Sequence, residues 1–217
     1  MYRIKLSVFV FVLVLAIVFS GCKKKESDQV SAGTIENSVY SNKYFGLTLK
    51  LPEDWNIQDE ESSKELTKSG YKMLAGGDEN LERSLNAAAE NQQLTFFLAS
   101  KYPIGTPAAD NPSIIGTAEL VKSKPGIKRG SDYLFHVKNM LEMSGIKLTI
   151  EETAKSEKIG GVEFDVIEVV LPFGNISVQQ KYCTTIMKDY AISFILTYTS
   201  KEGKNSLKEI LKTAKFE

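Results

Sequence analysis

The sequence predicts an α+β domain in which a mostly antiparallel β-sheet is covered by helices on both faces, an α/β/α sandwich. Three observations carry that expectation. The second half alternates β-rich runs with two-residue turns, Gly160-Gly161, Gly174-Asn175 and Lys188-Asp189, and turns that short join antiparallel neighbours. Segments with helical spacing interrupt the strands early, in the middle and at the end of the chain. In the run over residues 190–199, Tyr190, Ile192, Phe194, Leu196 and Tyr198 fall on one face, while Ala191 and Ile195 keep the other partly apolar, so both faces need a cover.

Phe45, Leu47, Leu49 and Leu51 alternate with small or polar residues, which is the pattern of a strand with one face in the core; Pro52 ends it and Trp55 follows the turn. Residues 59–75 are helix-permissive, with Leu66, Met73 and Leu74 at helical spacing, and residues 78–90 repeat the pattern with Leu81, Leu85, Ala88 and Ala89. A buried strand is expected over 94–102, then a loop imposed by Pro103, Gly105, Pro107, Asn111 and Pro112, then a strand over 113–120. Residues 122–130 form a basic loop. Ser131 can cap a helix running to about Ser144, with Asp132 placed for the dipole and Gly145 for the stop. Strands are expected over 146–152, 162–171, 176–187 and 190–199. In a last helix Leu207, Ile210, Leu211 and Ala214 share a stripe, and Ser206 with Glu209 matches a capping box.

The chain opens with Arg3 and Lys5 followed by an apolar run from Leu6 to Phe19, the layout of a secretory signal. The run is short of the roughly 20 apolar residues that a membrane-spanning helix needs. Phe19-Ser20-Gly21-Cys22 resembles the bacterial lipobox, in which small residues precede a cysteine that is acylated and exposed by cleavage. The expected organisation is a signal over 1–21, a lipidated Cys22 with a flexible tether to residue 38, and one domain over 39–217. A tether of that length spans about 20 to 25 Å. The expected location is the exported side of the cell membrane or outer membrane. Lys23 in place of an aspartate favours the outer one, and Lys23, Lys24 and Lys25 beside Cys22 read either as weak attraction for anionic lipid or as a hydrophilic spacer.

The signal carries Arg3 and Lys5 and no acid, so 25 basic residues face 27 acidic ones in the remainder. That balance argues against a nucleic-acid binder. With Cys22 acylated, Cys183 has no partner for an intramolecular disulfide and reads as a packed structural thiol, the alternative being an intermolecular or reactive one.

The opening Tyr44-Phe45-Gly46-Leu47 running into Leu51-Pro52 and Trp55, with the closing Tyr190-Ala191-Ile192 strand and a helix ending near Phe216, resembles the PsbP-like and Mog-like α/β/α sandwich. That sandwich occurs in photosystem II extrinsic proteins, in a eukaryotic Ran-binding protein and in many bacterial lipoproteins. The resemblance covers most of residues 40–217 and rests on packing signals, so it implies a fold and carries no site residue over.

His136 is the only histidine, and the chain has no Gly-x-Ser-x-Gly, His-Glu-x-x-His or Cys-x-x-Cys motif. On its helix the apolar face centres on Val137, with Tyr133, Leu134, Met140 and Leu141, which puts His136 at the flank and points Phe135 away from the core. Phe135 is therefore a candidate partner contact, the alternative being packing under a neighbouring loop. Glu151 and Glu152 are neighbours on an expected strand and point to opposite faces, so they cannot act together. Asp59, Glu60 and Glu61 suit a helix start better than a metal site. Lys122, Lys124, Lys128 and Arg129 flank Pro125-Gly126 and read either as a contact for an anionic lipid or acidic partner or as a solvated loop. The function expected is a non-enzymatic lipoprotein that binds an envelope protein or assists an envelope complex, with no metal and no cofactor. The other class is a small-ligand carrier or weak hydrolase with a pocket between the sheet and the helices around residues 59–90.

Overall fold

A computed structural model describes residues 30–106, 110–150 and 155–217. Cys22, the three lysines beside it, Pro107 and the pair Glu151 and Glu152 lie outside the described residues. In chain order the elements are β1 (Thr34–Glu36), β2 (Val39–Asn42), β3 (Leu47–Lys50), β4 (Asn56–Ile57), α1 (Glu60–Leu74), α2 (Glu79–Gln92), β5 (Gln93–Ser100), β6 (Ser113–Leu120), α3 (Gly130–Met143), β7 (Thr149–Ile150), β8 (Lys155–Ile159), β9 (Val162–Phe173), β10 (Ile176–Met187), β11 (Tyr190–Tyr198), α4 (Lys201–Lys212) and β12 (Lys215–Phe216).

The strands form two antiparallel sheets. The large one has the order β4-β5-β6-β11-β10-β9-β7, with β8 also on β9, and the small one the order β1-β2-β3-β12. Hairpin turns set the register. Lys188 and Asp189 both have positive φ, 50° and 67°, the twist that a two-residue turn needs to pair Met187 with Tyr190. Asn37 and Ser38, at 49° and 61°, do the same for Glu36 and Val39.

The expected α+β architecture is present, with a core on each face of the large sheet. On one face Ile115, Ile167, Val169, Tyr182 and Ile195 meet Tyr71 and Leu74 of α1, Leu85 of α2, and Tyr133, Leu134, Val137 and Leu141 of α3. On the other, Phe164, Cys183, Ile192, Phe194 and Leu196 meet Leu207, Ile210 and Leu211 of α4 and the inner side of the small sheet, Tyr40, Leu47 and Leu49. This second face is thus covered by a helix and a four-stranded sheet together. A bulge in β5 between Thr95 and Phe97 lets Phe96 and Phe97 enter that same core although they are adjacent in sequence. Burying each such ring contributes about 1.5 to 3 kcal/mol.

Four expectations need correction. Ser131 does not cap α3 but lies inside it, the N-cap being Arg129. Residues 30–38 are not tether: Val30 is buried, Thr34 to Glu36 pair with Val39 to Ser41, and the Tyr40 hydroxyl donates to the Ala32 carbonyl at 2.8 Å. Composition hid this strand because two of its three residues are polar. The strand expected over 146–152 is reduced, among the described residues, to Thr149 and Ile150, which reach the register of Val169 and Val170. The Ser206 and Glu209 capping box does not form. Ser200 caps α4 instead, its hydroxyl accepting from the Gly203 amide at 2.9 Å, and Ser206 sits inside the helix, donating to the Glu202 carbonyl at 3.1 Å. Among the described residues no helix is long and apolar enough to cross a membrane.

Candidate functional site

The helix α3 carries Phe135 as expected. Its helical stripe buries Tyr133, Leu134, Val137 and Leu141 and turns Phe135 outward, 60% exposed, with His136 half-buried beside it and the two rings edge to face at 5.8 Å. Met143, near the end of the same helix, is also exposed.

The basic loop before α3 is not the uniform cationic surface that its sequence suggests. Val121, Lys124, Ile127 and Gly130 are buried while Lys122, Lys128 and Arg129 are exposed. Lys124 turns inward, and its ammonium pairs with Glu119, which the Tyr133 hydroxyl also holds at 2.6 Å. Lys122 lies 3.9 Å from Asp189 and Arg129 lies 3.7 Å from Asp132. The four cations named from sequence are therefore not one site. Burial places the Tyr133 hydroxyl well above the usual phenol range, and the Glu119 carboxylate beside it pushes the same way.

Other sequence-named groups are structural. Asp59 caps α1, its carboxylate accepting from the Ser62 amide at 2.8 Å, and that bond lowers its pKa. Cys183 is fully buried in the sheet, and burial pushes its thiol up to about 12. Among the described residues no group of three or more His, Cys, Asp or Glu side chains is arranged for a metal ion.

A cleft of about 580 Å³ lies on the α4 face of the sheet, opposite α1 and α2. It does not lie between the sheet and the helices around residues 59–90, where the sequence placed a candidate pocket. Its walls come from β8, β10, β11 and α4, and they bring together the side chains of Lys181, Lys204, Lys208 and Lys212 around a floor that includes Ile159, Leu196 and Leu207, while Lys158 is turned with Ser156 to the opposite face of β8. Helix geometry supplies three of these cations, because Lys204, Lys208 and Lys212 recur every fourth residue and so share one stripe. Lys181 is buried and paired with Glu157 at 2.6 and 2.7 Å, Lys204 reaches Glu168 at 3.3 Å, and Lys212 pairs with Glu209 at 2.6 Å. Lys158 and Lys208 make no ion pair among the described residues.

Tyr198 forms part of the same wall and is 3% exposed. The Lys204 ammonium lies over its ring at 5.4 Å and also interacts with its hydroxyl. Burial raises its pKa above the usual value of 10.0. The stripe Lys204, Lys208 and Lys212 is legible in the sequence. Its convergence with Lys181 is not, because that residue arrives from β10, a separate element.

No family model matches the chain, and no curated protein does. Among solved structures, the chain is similar to cyanobacterial PsbP (CyanoP) from Synechocystis sp. PCC 6803, with 13% identity over 88% of this chain and 100% of that one and a TM-score of 0.47. It is also similar to LpqN of Mycobacterium tuberculosis, a protein involved in cell envelope biogenesis, with 12% identity over 78% of this chain and 82% of that one and a TM-score of 0.43. Neither likeness transfers a residue or an activity to this chain.

Proposed function

We propose that the chain is a lipid-anchored, non-enzymatic accessory protein of the cell envelope that works by binding another envelope protein at the membrane surface. The observation that carries this reading is the join between anchor and domain. On this reading Cys22 follows a signal over 1–21, and Val30 is already buried in the folded unit, so only eight residue steps separate them. Such a connection reaches at most about 28 Å and averages about 15 Å. The domain is thereby kept against the bilayer, where a partner anchored in the same membrane meets it at high effective concentration.

The core chemistry supports a binding rather than a catalytic role. Glu119 is engaged by Lys124 and Tyr133, and the Cys183 thiol is packed within the sheet and held protonated. The exposed Phe135 on α3 is the aromatic anchor proposed for the partner, with Lys122, Lys128 and Arg129 on the adjoining loop.

The test is a Cys22→Ala variant expressed in the native host. It should lose labelled fatty acid and leave the membrane fraction; retention of lipid would overturn the anchor. Crosslinking in intact membranes should recover one envelope protein reproducibly, and Phe135→Ala should lower that recovery while the domain's melting temperature stays the same. Equal recovery with Phe135→Ala would remove α3 from the interface.

A further inference from the structure

We infer that the end of the domain at which the chain enters the fold is a docking face for an anionic bilayer surface. This inference rests on the anchor reading at Cys22 and goes beyond it, since it names the side of the domain that the membrane touches. The described chain begins at Val30, and the next residue is fastened at once. The Asn42 side chain donates to the Ser31 carbonyl at 3.0 Å and accepts from the Phe45 amide at 3.2 Å, so one buried amide ties the entering chain to the turn between β2 and β3, residues 43–46. Cys22 lies eight residue steps before Val30, an average span of about 15 Å. The far end of the small sheet is a further length of β2 away, four residues or about 13 Å. The end with the turn 43–46 is therefore the nearer one to the lipid.

Charge orients the domain the same way. The Lys188 ammonium of the β10–β11 hairpin donates to the Tyr44 carbonyl and lies over the Tyr44 ring at 4.9 Å, and the Asp189 carbonyl accepts from the Val121 amide, which brings Lys122 to this end. Lys43, Lys122 and Lys188 are exposed here, against Asp189, which Lys122 faces at 3.9 Å, and Glu217, whose amide donates to Gly46. Lys43 and Lys188 make no ion pair among the described residues. At the far end of the small sheet the balance is reversed, with Glu36, Glu53 and Asp54 exposed against Lys50. A negative surface attracts the first end and repels the second. Tyr44 favours a lipid surface over a soluble polyanion. Its ring stands edge to face against Phe45 and Tyr190, at 4.8 and 6.1 Å, and is left 41% exposed. A tyrosine between two ammonium groups suits the depth of lipid headgroups, where the ring meets the first methylenes and the cations meet phosphate. Lys122 borders the loop assigned to the protein partner, so the two surfaces adjoin without coinciding.

The experiment joins the chain to a bilayer chemically, which makes it independent of lipidation in the cell. Residues 22–217 are coupled through Cys22 to a maleimide phospholipid in nanodiscs; the folded Cys183 is buried and protonated and does not compete. The nanodiscs hold phosphatidylcholine alone or an equal mixture with phosphatidylglycerol, each with a trace of gadolinium-chelating lipid, and the broadening of backbone amide signals is followed by NMR. In the mixture the amides of residues 43–45 and 188–189 should be broadened most and those of Glu36, Glu53 and Asp54 least, and the contrast should fall several-fold in phosphatidylcholine alone. The exposed pair Lys43→Glu and Lys188→Glu should reduce it to the same low level without changing the melting temperature, whereas Lys50→Glu at the far end should leave it intact. Equal broadening at both ends, broadening centred on Phe135, or a pattern indifferent to phosphatidylglycerol or to the double variant would overturn the docking face and leave the anchor standing. Absence of fatty acid on Cys22 in cells would overturn the anchor reading and leave this measurement unaffected.

Discussion

Lys124 is folded back from its loop onto Glu119 of β6, and both side chains are almost fully removed from water. Two lone charges so placed would cost several kcal/mol each, and the ion pair together with the Tyr133 hydroxyl offsets that cost. The arrangement fastens the loop to the sheet just before α3 begins. Replacing Lys124 by Met leaves the Glu119 charge without its cation and should lower stability by about 3 to 5 kcal/mol, measured by urea unfolding. The double variant Glu119→Leu with Lys124→Met removes both charges and should recover more than half of the loss. If the two substitutions are simply additive, the pair is not energetically coupled.

Asp132, in the first turn of α3, accepts at 2.9 Å from the amides of both Lys128 and Arg129. These bonds favour the carboxylate and hold its pKa below the usual 3.8. A folded-state pKa lower than the unfolded one contributes stability that is present above pH 3.8 and is lost as the pH falls below it. Asp132→Ala should therefore cost about 1 kcal/mol at pH 7. The gap between parent and variant should close on acidification below the ordinary carboxylate range. A gap that is the same at pH 7 and pH 2.5 would show that the charge plays no part.

The contrast between Asp59 and Lys124 shows what the sequence could disclose. Asp59 caps α1 through the Ser62 amide three residues away, so the whole interaction lies in one local window. Lys124 is legible only as a loop cation, because its burial depends on Glu119 of β6 and Tyr133 of α3, which belong to separate elements. The edge strand β8 was missed for a related reason. Lys155, Ser156, Glu157 and Lys158 are exposed, and only the pairing of residues 155–159 with 162–166 makes them a strand. The candidate cleft inherits that difficulty, since β8 is one of its walls. The Ser206 and Glu209 motif misled because it ignored what stands upstream. Asp110 accepts from Thr199 and Ser200, fixing the chain at Ser200 and starting α4 six residues earlier.

Gly130 opens α3 where the helix is seated on the sheet. A Cβ there would run into the Thr184 carbonyl of β10 and lie 3.1 Å from the Asp165 carboxylate, which accepts from the Ser131 amide at 2.7 Å. Alanine is the better helix former by about 1 kcal/mol, but here the backbone must move to admit it. Gly130→Ala should destabilise the domain by about 1 to 3 kcal/mol. Gly126→Ala, four residues upstream, places its Cβ in open space and should be close to neutral. Thermal unfolding of the two variants side by side separates a packing cost from a generic loss of glycine.

Cys183 sits opposite Phe194 on β11 and Val166 on β9, fully enclosed by the core that α4 and the small sheet cover. Burial raises its pKa from 9.0 to about 12. The raised value means that the neutral thiol is the form the fold prefers. Its contribution to stability is complete below pH 9 and declines as the pH rises towards 12. In the Cys22→Ala chain Cys183 is the one remaining thiol, so alkylation reports on it alone. Iodoacetamide at pH 8 should leave the folded protein unmodified over a time in which the urea-unfolded chain is fully alkylated, because the folded thiol is both unreachable and protonated. Cys183→Ser should cost about 1 to 3 kcal/mol by burying a hydroxyl where a thiol had packed as a small apolar group. Folded-state alkylation at the rate of an exposed thiol would mean that the sheet opens at this point far more readily than its packing implies.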